Sequence, residues 1–204
     1  MTMSLLRRAL AAEAATWRNL VLWVTRRPVP LHGGVPFGYL GVVKPILGIF
    51  LGLSVVEIPV LDLIVKHVIP WGPARLIMLA ISVWGLLWML GFLGGLIRHP
   101  HLVVDDGLRV RMGPAIDLTV PWADIASIGK RYRSMPSSRA VQYEDGALHV
   151  VVGSQTSVDV RLRRPLAFTL PKGSGEPVEE VRLYADDPDG LVRAARSRLE
   201  AFAE

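Results

Sequence analysis

The chain contains no cysteine, which excludes disulfide frameworks, thiolate nucleophiles and cysteine-ligated metals. It also lacks a Walker loop, G-x-G-x-x-G, G-x-S-x-G and H-E-x-x-H. Acidic residues are scarce in the first half: residues 1–97 hold 8 Lys/Arg against 3 Asp/Glu, whereas residues 98–204 hold 15 of each. The formal net charge of +5 therefore belongs to the first half, where it reads as orientation signal and lipid contact. That distribution argues against a nucleic-acid partner despite a pI near 10. Nor does the N-terminus read as a signal peptide, because Arg18 and Asn19 interrupt Leu5–Val24.

What the chain does have is apolar length. Hydrophobic residues make up 51% of the sequence, and they are concentrated. Leu76–Ile97, about 22 residues between Arg75 and Arg98, carries neither charge nor proline. Roughly 20 such residues cross a bilayer core, so this segment reads as a span. A second span is expected from Tyr39 to about residue 62, with Lys44 snorkelling at one end and Glu57 and Asp62 near the other. Val65–Ala74 is then the connection of a helical hairpin covering residues 37–99.

Upstream, Leu6, Leu10, Trp17, Leu20, Val21 and Val24 recur at helical spacing with arginines elsewhere on the wheel. Residues 1–36 are therefore expected to form a basic amphipathic helix in the cytoplasmic interface, followed by a Pro/Gly-rich linker. Arg7, Arg8, Arg18, Arg26, Arg27 and Arg98 outnumber Lys66 and Arg75, so positive-inside counting places both termini in the cytoplasm. Candidate helix-packing residues are Gly48 and Gly52 on the first span, and Trp84, Trp88, Gly91 and Gly95 on the second. Glu57 reads as a residue near a helix end.

From His101 the apolar period changes from helical to alternating. Asp106-Gly107 between two alternating runs is a hairpin signal. Leu108, Val110 and Met112 point one way and Arg109 and Arg111 the other. Further strands are expected at Ile116–Val120, from Pro121-Trp122, in a hairpin of Ala147–Val152 with Val158–Arg163, and at Glu179–Tyr184. Arg133–Tyr143 and Pro171–Pro177 have loop composition. Asp187-Pro188 is an N-cap and first-turn proline for a helix over 187–203.

About seven strands closed by a C-terminal helix over residues 100–204 resembles the pleckstrin-homology (PH) superfold. Asp106-Gly107-Leu108 and Val120-Pro121-Trp122-Ala-Asp124-Ile125 are similar to text in membrane-attached bacterial PH-like proteins. The expected fold class is thus α+β: a transmembrane hairpin followed by a seven-strand PH-like β-barrel with a helical cap. The resemblance implies a non-catalytic binding or scaffolding module at the plasma membrane, needing no cofactor. Its partners would be the bilayer and a protein partner or second copy. The Arg-x-Arg of phosphoinositide-binding relatives is matched by Arg109 and Arg111, but no basic residue stands on the first strand and Asp105-Asp106 occupy the turn. Lys130, Arg131 and Arg133 join them as candidate headgroup or partner contacts. An auxiliary subunit of a membrane transport or secretion complex is the alternative. No nucleophile–base pair is assembled, and His99 and His101 lack a carboxylate cluster at ligand spacing.

Overall fold

A computed structural model of the chain describes residues 2–31, 33–69, 71–170 and 175–203, and it divides into two compact units. One comprises Met1–Pro28 and Lys44–Arg98; the other comprises Val29–Val43 and His99–Glu204.

The first unit is helical: α1 (Thr2–Val24), α2 (Lys44–Val68) and α3 (Gly72–Ile97). With 25 and 26 residues, α2 and α3 are each nearly 40 Å long at 1.5 Å per residue, and they are long and apolar enough to cross a membrane. Only 6% of each apolar window is buried, so the apolar side chains point outward. Their bounds differ from the expected 39–62 and 76–97. Pro45 falls in the first helical turn, where its missing N–H leaves no bond unmade, and Pro59 is carried inside the helix. Residues 38–41 are unavailable to the helix because they belong to the other unit.

α1 does not lie apart as a surface helix; it runs alongside α3 in the same direction. Thr16 and Leu20 meet Gly91, Asn19 and Trp23 meet Gly94, and Asn19 meets Gly95, so both sequences rise together along the seam. Those four α1 residues recur at i, i+3, i+4 and i+7, one stripe of a helix, and the glycines remove the side chains that would hold it off. α1 ends where Arg26 adopts φ 51° and the Arg27 N–H bonds the Leu22 carbonyl at 3.0 Å.

The second unit holds two sheets and α4 (Pro188–Ala203). The first sheet has the order β1-β2-β3-β4: Val35–Phe37, His101–Val103, Gly107–Met112 and Ile116–Pro121. The second has the order β5-β8-β9-β7-β6: Ile125–Ser134, Gln155–Leu166, Val178–Leu183, Ala147–Val150 and Val141–Glu144. Among the described residues this makes nine strands in two separate sheets, with no closed barrel, in place of the expected seven-strand meander. The expected linker contributes β1, which pairs with β2 as Val35↔Val103 and Phe37↔His101. β5 and β6 extend into the stretch expected to be loop, leaving residues 135–140 between them. Pro171–Ser174, part of the other expected loop, lies outside the described residues.

The expected hairpin of β7 with β8 is split. Gly153 and Ser154 adopt φ 57° and 60°, and Val152 and Gln155 exchange both backbone hydrogen bonds at 3.1 and 3.0 Å, a type I′ turn. Beyond that bridge the strands part and β9 enters between them. It is antiparallel to β8 (Val160↔Val181) and parallel to β7 (Leu148↔Val181). Turn chemistry fixes the reversal, whereas the ladder partner is set by longer-range burial of Val178, Val181 and Leu183.

One core joins both sheets to α4 through Leu108, Val120, Ile125, Val160, Leu183 and Leu191. Trp122, expected to begin a strand, instead sits in a 3-10 turn (Trp122–Asp124), and its indole donates to the Val104 carbonyl at 3.0 Å. Asp187 caps α4 by accepting the Gly190 N–H at 2.8 Å.

Candidate functional site

The most constructed locus of the helical unit is the α1–α3 seam. A Cβ at Gly91 would stand 2.7 Å from the Thr16 carbonyl oxygen, and one at Gly95 would stand 2.9 Å from Asn19 Nδ2. Glu13 lies one turn before Thr16. Its Oε1 accepts the Trp17 indole N–H at 2.8 Å, and its Oε2 accepts that of Trp88 at 2.9 Å. Trp17 packs edge-on against Trp84 with centroids 4.6 Å apart, and Trp88 stacks on Phe92 at 5.9 Å. In apolar surroundings a carboxylate needs donors, and these tryptophans supply two.

Four packing candidates, Trp84, Trp88, Gly91 and Gly95, therefore converge on one seam, and the helix that fills it is the chain's own α1. Gly48 and Gly52 do not join them; nothing lies within 4 Å of a Cβ built at either. Arg98 has a second role as well as marking a flank. Its guanidinium donates to the carbonyls of Arg27 at 2.6 Å and of Leu22 and Pro28 at 3.4 Å, tying the end of α3 to the end of α1 and the residues that follow it. The opposite end of the helix pair is held by Arg75, whose fork donates to Asp62 at 2.6 and 2.7 Å.

In the second unit the basic candidates separate. Arg109 makes a two-bond fork with Asp117 at 2.7 and 2.6 Å. Lys130 pairs with Asp189 and Arg133 with Asp159, each at 2.7 Å, while Arg131 is exposed. Arg111, expected as a headgroup or partner contact, is only 4% exposed. Tyr39 is its neighbour from the segment before α2.

Around Arg111 lies a buried polar knot. The Arg111 N–H donates to His101 Nδ1 at 3.1 Å, so the ring proton resides on Nε2, which donates to the Tyr184 carbonyl at 2.9 Å. Tyr39 lies against the imidazole with centroids 5.0 Å apart, and its hydroxyl accepts the Gly113 N–H at 2.8 Å. Burial pushes the Tyr39 phenol up to about 12 and the His101 imidazole down to about 4. The Arg111 Nε donates to the Pro100 carbonyl at 2.7 Å, and its buried Nη2 has no hydrogen-bond partner among the described residues. Desolvation, helped by the neighbouring Arg109 charge, lowers the Arg111 guanidinium from its ordinary value. Nearby, the Asp186 carboxylate accepts the N–H groups of Leu40 at 3.1 Å and Gly41 at 2.6 Å.

No known family model, curated protein or solved structure matches this chain. Its chemistry is read from its own geometry alone.

Both ring nitrogens of His101 are committed to backbone partners, so it has no lone pair or proton to offer a substrate. The knot instead fastens residues 39–41 to the sheets. Among the described residues no group of three or more His, Asp or Glu is placed to hold a metal ion. Sequence reasoning missed Glu13, Tyr39, Asp186 and the tie from Arg98 to the end of α1. Glu13 and Trp17 stand four apart on one helical face, a readable local signal. The others depend on partners 70 or more residues away in sequence.

Proposed function

We propose that the chain is a non-catalytic, membrane-anchored binding or scaffolding protein. α2 and α3 serve as its anchor, and the sheet-bearing unit is presented at the cytoplasmic face of the plasma membrane. The observation that carries this reading is the pairing of two long helices, only 6% buried over their apolar windows, with a unit that closes its own core. Exposed apolar helices of that length are untenable in water and ordinary in lipid.

The basic residues flanking the helices divide between two ends. With α1 running parallel to α3, Arg7 and Arg8 leave the end that carries Arg26 and Arg27, and join Lys66 and Arg75. Arg26, Arg27, Lys44 and Arg98 stand at the near end and Arg7, Arg8, Lys66 and Arg75 at the other, where Arg75 is committed to Asp62. The near end is where the chain passes into the sheet-bearing unit. The seam offered to larger helices in the auxiliary-subunit reading is filled by α1, which favours the scaffold.

Fractionation and protease accessibility test this. The full chain should stay in the membrane pellet through alkaline carbonate extraction, and loop 135–140 should be cut in inside-out vesicles but not in intact cells. Extraction by carbonate, or cutting from outside, overturns the anchor or its orientation respectively.

A further inference from the structure

Glu57 is not at a helix end. α2 places it thirteen residues after Lys44 and eleven before Val68, close to the middle of the helix. At 1.5 Å per residue it is more than about 15 Å from either terminus, inside the bilayer core on the anchored reading, on which this inference rests. It opens on a notch of about 290 Å³ between α2 and α3, whose polar lining is Ser54, Glu57 and Ser82. The remaining lining is Gly85, Met89 and four Ile or Leu side chains, so no Lys, Arg or His faces the carboxylate from either helix. The next acid along α2, Asp62, is held by Arg75 and is not part of the lining.

We propose that Glu57, with the hydroxyls of Ser54 and Ser82, binds a small monovalent cation, a proton or an alkali ion, inside the bilayer core. A carboxylate there is costly unless its charge is balanced, and acids at such depth mark ion and proton sites. Among the described residues no counter-charge lines the notch, whereas Glu13 has its two indoles and Asp62 its arginine. One carboxylate and two hydroxyls make an oxygen set with a single negative charge, matched to one positive charge and too poor for a divalent ion. The notch has room for an ion and several waters at about 30 Å³ each.

The test is modification by dicyclohexylcarbodiimide of the full chain in liposomes, mapped by mass spectrometry. This apolar reagent adds a protonated carboxyl across its C=N bond: the oxygen bonds the central carbon and the carboxyl proton passes to nitrogen. Glu57 should be labelled at least about tenfold more than Glu13 or Asp62, as expected for an unpaired acid within the bilayer. Glu57→Gln should lose that label alone, and a combined Ser54→Ala and Ser82→Ala variant should change its rate. Protection by excess sodium at constant pH identifies an alkali-ion site; labelling indifferent to sodium, lithium and potassium identifies a proton site. If the chain resists carbonate extraction but Glu57 is unlabelled, or is labelled equally by a water-soluble carbodiimide, the cation site is overturned and the anchor stands. If carbonate extracts the chain, both fall together.

Discussion

Acid should loosen the sheet-bearing unit through His101, by an amount its burial determines. The imidazole is fully buried and neutral in the fold, with its pKa lowered from 6.5 to about 4. The unfolded chain therefore binds the proton more readily. The stabilisation is complete above about pH 6.5 and is lost as pH falls from there towards about 4. Those two values correspond to a loss of about 2 kcal/mol between pH 7.5 and pH 5, approaching about 3 kcal/mol near pH 4. The assay is hydrogen exchange of the β2–β3 amides in the full chain, corrected for intrinsic rates and followed by mass spectrometry. His101→Gln removes the titration while offering a carbonyl and an NH₂ to the same two partners. His149, whose pKa is also lowered by burial, contributes in both proteins and cancels in the comparison. The parent should lose about 2 kcal/mol more than the variant across that range. Equal losses would refute a buried neutral imidazole as the source of acid sensitivity.

Gly91→Leu should cost about 1–3 kcal/mol in detergent melting by driving a side chain into Thr16, whereas Gly48→Leu, with open space around it, should melt like the parent. Glu13→Ala leaves two indole donors unpaired and should cost about 1.5–3 kcal/mol, with a Glu13/Trp88 double-mutant cycle returning a coupling of the same order. Asp186→Ala frees the Leu40 and Gly41 amides, so limited proteolysis should cut residues 38–43 faster than in the parent. Gly146→Val, at φ 69°, should destabilise the β6–β7 hairpin by about 1–2 kcal/mol in the hydrogen-exchange assay.

The features legible in the sequence were those whose cause is local. The chain does reverse between β2 and β3, but at Asp105-Asp106, one position before the expected Asp106-Gly107, because Gly107 already begins β3; Asp187-Pro188 starts α4. A turn with positive φ at both centres stands instead at Asp145-Gly146, φ 51° and 69°, and joins β6 to β7. That hairpin is missed only because the polar stretch before it reads as loop. Features set by distant residues were not legible. Alternation along β3 separates Arg109 from Leu108 correctly, but it does not reveal that Arg111 is buried, with Tyr39, more than sixty residues upstream, beside it. Likewise the small residues of α3 announce a close neighbour without saying that it is α1, nor that Glu57 moves to mid-helix once α2 runs to Val68.

The insertion of β9 between β7 and β8 has a consequence for biosynthesis. The Gly153-Ser154 turn closes as soon as it is made, yet the strand that belongs between its arms follows only after β8, just ahead of α4. Until residue 183 has left the ribosome, β7 and β8 each present a bare hydrogen-bonding edge, and they are able to zip together wrongly in the hairpin that their turn invites. Nascent chains stopped before Val178 should therefore be aggregation-prone or recruit chaperones, and emergence of residues 178–203 should clear both. The order in which this sheet is spelled along the chain makes its completion wait for β9, well after the strands on either side of it have been made.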